Sequence, residues 1–493
     1  MFYDVVIIGT GPSAASAYAS LKENNSTINV CLLEAGDERE PYKGSLAVKT
    51  SSRFRLNPSI YIGAGGTSEL WHYVLAPFDP IDFEPRPELG NPGWGISYED
   101  LLPNYERVLR LLGISDPQVF SSYRFETDLE KLDVSQLLEK FEPKLYIQLK
   151  KRWQSIKFLR SQNAIILYRH FVKSFTEEAG KINIHSVNFE GEANPIISAS
   201  KLVICAGGLS TPQIVYNSEI MPEVRTNLGK MLLDHPMGVG MQLKRGSRYN
   251  FEILTSKKTK NYNKKLAFRL KESVQRAENL PNSSYYFKPA FKEGYSEFTE
   301  DLKNKVLTYR NHLKHGKLPI GMSLELAREW NLVAQIIQYK TGLLSKTDLF
   351  DIFCVTEQVS RSSYIEFEKD ASGYYIGNCR WVVDRVDQQF NNRILKIFEE
   401  WTQTQGLGSK VTVPAQDVLW TDRAVSAAHH IGTAPMSKDV ETGCVNTHGG
   451  LFGLEEKVFI ADSSVMPSGG CANVTLTSMA LANRTGEYIA KTL

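Results

Sequence analysis

A chain of 493 residues is longer than a single hydrophobic core usually grows, so two domains, or one large domain with a cap, are expected. Its 42% hydrophobic and 23% charged residues are ordinary for a globular protein, which argues against a disordered or fibrous chain. A formal net charge of +2 gives no electrostatic reason to bind nucleic acid or an acidic membrane surface, and no apolar run reaches the roughly 18 residues that a spanning helix needs.

Taken in chain order, the first element is the apolar run Val5–Ile8, the pattern of a strand buried on both faces of a parallel sheet. It starts without a basic, cleavable leader, so a cytoplasmic location is the default expectation. Gly9, Gly11 and Ala14 follow at G-x-G-x-x-A spacing, with Pro12 and Ser13 inside the turn and a helix-forming stretch after it. The first glycine permits the turn, the second lets backbone approach a pyrophosphate, and the small third residue brings helix and strand together. The helix start adds free N–H groups and partial positive charge. A second strand, Asn29–Leu33, ends in Glu34, placed to accept hydrogen bonds from a ribose 2′-hydroxyl. Strand, turn, helix, strand and acid together indicate dinucleotide binding.

Gly63, Gly65 and Gly66 make a second loop able to pass close to a ligand. Ser97, with Asp100 three residues on, opens a helix that should end at Gly113. Residues 164–208 read as strands, the last of them, KLVICAGG, ending in glycines. Ser210 or Thr211 should cap the next helix, with Pro212 in its first turn. Residues 256–315 are lysine-rich and read as an exposed stretch, a candidate lid, and the aromatics of SSYYFKPAFKEGYSEF suit either sugar stacking or ordinary packing. The six cysteines are scattered, and Cys31 and Cys205 sit in apolar strands as small buried hydrophobes of a reducing compartment. The AAHHIGT stretch contains a histidine pair, yet no other ligand falls at metal spacing, so no metal is expected.

These blocks resemble the glucose–methanol–choline (GMC) oxidoreductase family. The resemblance rests on Gly9, Gly11, Ala14 and Glu34; on a G-G-x-S loop at Gly65, Gly66 and Ser68; on W-x-I-S-Y-E-D-L-x-P-x-Y from Trp94 to Tyr105; and on A-G-x-x-x-T-P from Ala206 to Pro212. It continues through N-L-x-x-x-L-x-D-H-P-x-G from Asn227 to Gly238 and the C-terminal H-x-x-G-T and A-D-x-S-x-x-P…N-x-T-L-T blocks. The GGTSELW loop, including Trp71, and the final stretch are most similar to the pyranose oxidases and related sugar oxidoreductases of that family.

The resemblance implies an α/β protein, α+β overall. A Rossmann-like FAD-binding domain would comprise residues 1–240 and 416–493, parts of 70–160 adding to the cap, and a discontinuous sheet-plus-helices substrate domain would comprise 241–415. It implies FAD, a small-molecule alcohol or sugar as substrate, and oxygen or another small molecule as electron acceptor. Where relatives often have a flavin-linked histidine before the tryptophan, this chain has Leu70, so FAD should be non-covalent. It implies His429 as the base that takes the hydroxyl proton, and Asn473 as the partner that orients the C–H bond toward flavin N5. It further implies that Val172 meets the adenine edge by its backbone, that Ala206, Asp462, Val474 and Thr475 border the cofactor, and that Val474 stands where proline is usual. His430 and His235 are expected to be structural, and His72 to lie near the flavin loop. Other expectations left open are oxidation of a non-sugar alcohol, a non-redox lyase or decarboxylase, and a non-enzymatic flavin-holding protein.

Overall fold

Alternating and continuous apolar runs build two different sheets from this chain, seen in a computed structural model that describes residues 1–42, 60–116, 119–120, 139–246, 257–258, 261–291, 293, 324, 327–341, 347–411 and 420–493. The continuous run Phe2–Ile8 pairs in parallel with Val30–Leu33 on one side and with Ile197–Ile204 on the other. Ile165–Leu167 extends the sheet beyond Val30–Leu33. The first half of Ile197–Ile204 pairs antiparallel with Lys181–Val187, and its last residues pair in parallel with Val458–Ile460. A strand from near the C-terminus therefore lies one strand away from the strand that opens the chain.

Helix Pro12–Asn24 crosses this sheet and packs on helix Val474–Thr492. Small residues let the two backbones approach. Ser13 Oγ lies 2.8 Å from Ser478 Oγ, and Ser16 Oγ donates to the carbonyl of Met479 at 2.7 Å. A Cβ on Gly486 would stand 2.7 Å from the carbonyl oxygen of Ala17. The helix Tyr98–Leu111, capped by Ser97 and Asp100 as its sequence indicates, packs on the same C-terminal helix through Asn104–Asn483 and Tyr105–Thr477 hydrogen bonds of 3.0 and 2.8 Å.

The second sheet is antiparallel, in the order Gly408–Lys410, Pro236–Arg245, Leu349–Thr356, Ser283–Ala290, Tyr262–Leu270, Phe141–Leu149, Val74–Leu75. Helix Arg385–Thr404 covers one face, and Phe398 and Trp401 meet Phe141, Phe268, Tyr285 and Phe287 there at ring separations of 4.9 to 5.8 Å. The aromatics of residues 283–290 are thus divided by strand alternation, with Tyr285 and Phe287 buried in this core rather than offered to a sugar. Part of the candidate lid is likewise central sheet: Leu266 and Phe268 are buried, and most of residues 292–315 lie outside the described residues. All six cysteines are free and buried, no cluster among the described residues has metal-ligand geometry, and no helix there is long and apolar enough to cross a membrane.

Replacing Gly486 with alanine should lower the melting temperature although alanine is the better helix former by about 1 kcal/mol, because forcing a methyl group onto the Ala17 carbonyl costs about 1–3 kcal/mol. Thermal unfolding of the variant against wild type checks this.

Candidate active site

The nucleotide end is built from three loops at the carboxyl edge of the parallel sheet. Gly9 takes a left-handed backbone, φ 99°, and a side chain there would collide with the carbonyl of Cys205 at 2.7 Å. Gly11 starts helix Pro12–Asn24 with no side chain capping it, a Cβ there would meet nothing within 4 Å, and the first-turn N–H groups of Ser13 and Ala14 have no partner within the helix. The second glycine loop closes directly on the first: a Cβ on Gly66 would stand 3.1 Å from Gly11 Cα, and Gly65 N–H donates to Thr10 Oγ1 at 2.9 Å. The Ser68 hydroxyl is used within the protein, donating to the Gly65 carbonyl at 2.6 Å.

Glu34 is buried beside these loops. Thr10 Oγ1–H donates to its Oε2 at 2.5 Å and Gly36 N–H to its Oε1 at 2.9 Å. Burial raises its pKa above the usual carboxylate range, opposed by those hydrogen bonds. The strand Phe171–Glu178 breaks register between Val172 and Ser174, a bulge that frees backbone next to buried Val172. Tyr42 stacks on Phe171 at 4.4 Å nearby.

Asp462 does not reach outward with its carboxylate. Gly207 N–H and Thr211 Oγ1–H donate to its Oδ2 at 2.8 and 2.5 Å, and Ser464 donates twice to its Oδ1. It thereby ties the loop ahead of helix Thr211–Tyr216 to the end of the Val458–Ile460 strand; Ser210 is the N-cap residue but makes no side-chain cap, and Pro212 sits in the first turn as expected. Gly207, next to Ala206, is open to space, so the backbone is what this loop can offer a cofactor. Trp71 packs edge-on against Tyr73 at 4.9 Å, and its buried Nε1 has no partner among the described residues. Leu70 is 37% exposed and His72 is also exposed.

The reactive end joins segments far apart in sequence. His429 Nε2 lies 3.1 Å from Asn473 Nδ2, the residue before helix Val474–Thr492. Asn473 makes no side-chain cap, so the N–H groups in the turn that holds Val474 and Thr475 are free as well. His429 Nδ1 lies 2.7 Å from Nδ1 of buried His235, whose Nε2 lies 2.9 Å from the carbonyl oxygen of Gly469. Buried Asp234 binds both segments: the N–H groups of His235 and His429 donate to its Oδ1 at 2.6 and 3.0 Å, and Ser426 Oγ–H donates to its Oδ2 at 2.5 Å. Ala428 holds a left-handed backbone, φ 61°, with its N–H donating to Ser426 Oγ at 2.9 Å. Such a conformation costs a residue other than glycine about 1–3 kcal/mol, and here it turns His429 toward Asn473.

Burial holds the pKa of His429 well below the ordinary histidine range, and the neighbouring His235 and His430 lower it further. His235 is pushed down to about 4 by burial, and Asp234 up to about 6 by the same cause. His430 faces elsewhere, buried, with Nε2 at 3.9 Å from Asp234 Oδ2 and its carbonyl accepting from Ser463 Oγ. His235, which the sequence places only in a structural turn, is thus in direct contact with His429; its D-H-P block carried no spacing signal for that contact. Beneath Asn473, the Gly469–Cys471 turn rests on buried acids: Asp82 is pushed up to about 7, chiefly by burial, then by Asp79 and Glu357, and a Cβ on Gly470 would stand 2.3 Å from its Oδ2.

The comparisons with known proteins agree with this geometry. Residues 360–482 match a family model described as GMC oxidoreductase. The C-terminal segment, about a quarter of the chain, is thus of the GMC oxidoreductase kind. The sequence matches no curated protein. The fold is shared over 99% of the chain with solved structures of pyridoxine 4-oxidase from Mesorbium loti (15% identity, TM-score 0.59, 99% of that chain) and of a fungal aryl-alcohol oxidase (14% identity, TM-score 0.58, 99% of that chain). A variant of Aspergillus oryzae RIB40 formate oxidase is equally similar, at 15% identity and TM-score 0.58 over 98% of its chain. The GMC oxidoreductase is an FAD-dependent enzyme, and the residues present fit that cofactor. Two uncapped helix starts, open backbone at Gly11 and Gly207, a buried acid at Glu34 and an orphaned indole N–H at Trp71 are the donors and acceptors a dinucleotide would satisfy.

Exchanging Glu34 for glutamine should weaken FAD binding roughly 10- to 100-fold, the equivalent of losing charge on an acceptor worth about 1.5–3 kcal/mol. Titration of the apoprotein with FAD, followed by flavin fluorescence, measures it.

Proposed function

We propose that this GMC oxidoreductase oxidises an alcohol carbon of a small molecule, foremost a secondary hydroxyl of a sugar or glycoside, with His429 as base and Asn473 as its partner. The observation that carries the reading is the 3.1 Å approach of His429 Nε2 and Asn473 Nδ2 at the start of helix Val474–Thr492. An alcohol releases hydride from carbon readily only as its O–H proton leaves, so the site needs a neutral base at the hydroxyl oxygen. Burial keeps His429 neutral at physiological pH, and its Nε2 takes that proton. The Asn473 amide N–H donates to the same oxygen and fixes the direction of the C–H bond. Bound FAD supplies the acceptor for the hydride.

The sugar assignment is supported by the likeness of the C-terminal blocks to pyranose oxidases; solved structures of similar fold include oxidases of pyridoxine, formate and aryl alcohols. We further propose that FAD is held without a covalent bond, because Leu70 offers no nucleophile at the position where relatives carry a histidine.

Four measurements check these readings. Anaerobic bleaching of the flavin spectrum should occur with sugars or glycosides in a panel that also holds pyridoxine, formate and aryl alcohols. His429→Ala should retain FAD but slow bleaching by roughly 10²–10⁴-fold, the usual contribution of a general base; equal rates would remove it from that role. Because the pKa of His429 is lowered, its base form is lost only as pH falls, so the bleaching rate should stay flat through neutrality and drop below the ordinary histidine range. Acid precipitation should leave yellow FAD in solution; colour in the pellet would overturn non-covalent binding.

A further inference from the structure

We infer that His235 is a positioning residue that fixes the tautomer of His429, and that Asp234 holds the two rings together; the inference rests on the reading of His429 as the base. It starts from the carbonyl oxygen of Gly469, which can only accept. His235 Nε2, 2.9 Å away, must therefore carry the proton of that ring. A neutral imidazole has one N–H, so His235 Nδ1 is bare. At 2.7 Å it faces His429 Nδ1, and two bare nitrogens at that distance would repel. The His429 ring proton consequently sits on Nδ1 and donates to His235. Nε2 of His429 is left with the lone pair, and it is the atom that must receive the substrate proton. Asn473 Nδ2–H, 3.1 Å from Nε2, points a donor at that lone pair, in agreement.

The backbone holds this line of groups. Leu233 and Ile431 exchange two N–H···O bonds of 3.0 Å beside the rings, and Asp234 Oδ1 accepts from both histidine N–H groups. Gly469 must lack a side chain, since a Cβ there would lie 2.9 Å from His235 Nε2. When His429 takes a proton at Nε2, its Nδ1–H stays on His235 Nδ1. The line goes no further, because the Gly469 carbonyl cannot accept a proton.

The test uses the FAD-loaded protein with ¹⁵N-labelled histidine, read by NMR at neutral pH and assigned with His429→Gln. The expected result is His429 protonated on Nδ1 and His235 on Nε2; a wild-type His429 protonated on Nε2 overturns the inference. Two variants separate tautomer control from simple anchoring. In His235→Asn the amide oxygen takes the place of Nδ1 and still accepts from His429, whereas in His235→Gln the amide nitrogen takes the place of Nε2 and keeps only the bond to Gly469. Asn should preserve the His429 tautomer and keep bleaching within about tenfold of wild type, while Gln should populate the Nε2–H tautomer and slow bleaching by about 100-fold with flavin content unchanged. A Gln variant with the wild-type tautomer, or an Asn variant slower than Gln, assigns His235 to anchoring alone and overturns it. The expected tautomers in a protein that no alcohol bleaches would support this inference while counting against alcohol oxidation.

Discussion

The structure depends on one interface, the packing of helix Val474–Thr492 on helix Pro12–Asn24. Each helix begins at a functional loop: the first at Gly11, the second at Asn473. Seating one on the other sets the distance between the Gly11 turn and the His429–Asn473 pair, so the proposed nucleotide end and the proposed reactive end share a single mechanical reference. The close approach is possible because serine, alanine and glycine line the contact, and because Ser16 reaches the Met479 carbonyl that a larger residue would cover. The Val458–Ile460 strand repeats the connection at sheet level, tying the last residues to the first through Ile197–Ile204.

Around the reacting atoms the protein places charge sparingly. Two buried histidines and the half-buried His429 lie near Asp234, and desolvation pushes all three toward the neutral form. A neutral imidazole is what the proposed alcohol oxidation needs before the proton moves. Desolvation therefore sets the resting state of these rings. The Asp234 carboxylate spends its lone pairs on the backbone N–H groups of His235 and His429, which stops it from moving toward either ring.

Much of this was legible in the chain before any coordinates. The Gly9–Gly11–Ala14 turn, Glu34 and the Ser97 cap follow from local rules, since each depends on backbone conformation and hydrogen bonding within a few residues. Asp462 was legible as a member of the cofactor region but not in its role, because its partners Gly207 and Thr211 are some 250 residues away. The aromatic residues 283–290 stayed open between sugar stacking and packing for a related reason: strand alternation alone cannot say which face meets a core, and Tyr285 and Phe287 turned inward onto helix Arg385–Thr404.

The sequence by itself determined the nucleotide loops, because those are written in short patterns whose geometry is local; the fold class and the pairing of His429 with Asn473, 44 residues apart, came through the resemblance to a family. Only the tertiary structure brought His235 against His429 and set Gly469 at the far end of the pair. Those contacts join residues 194 and 234 positions apart, and no local periodicity encodes them. Which ring nitrogen carries the proton is decided there, by a backbone carbonyl that can accept a hydrogen bond and never donate one.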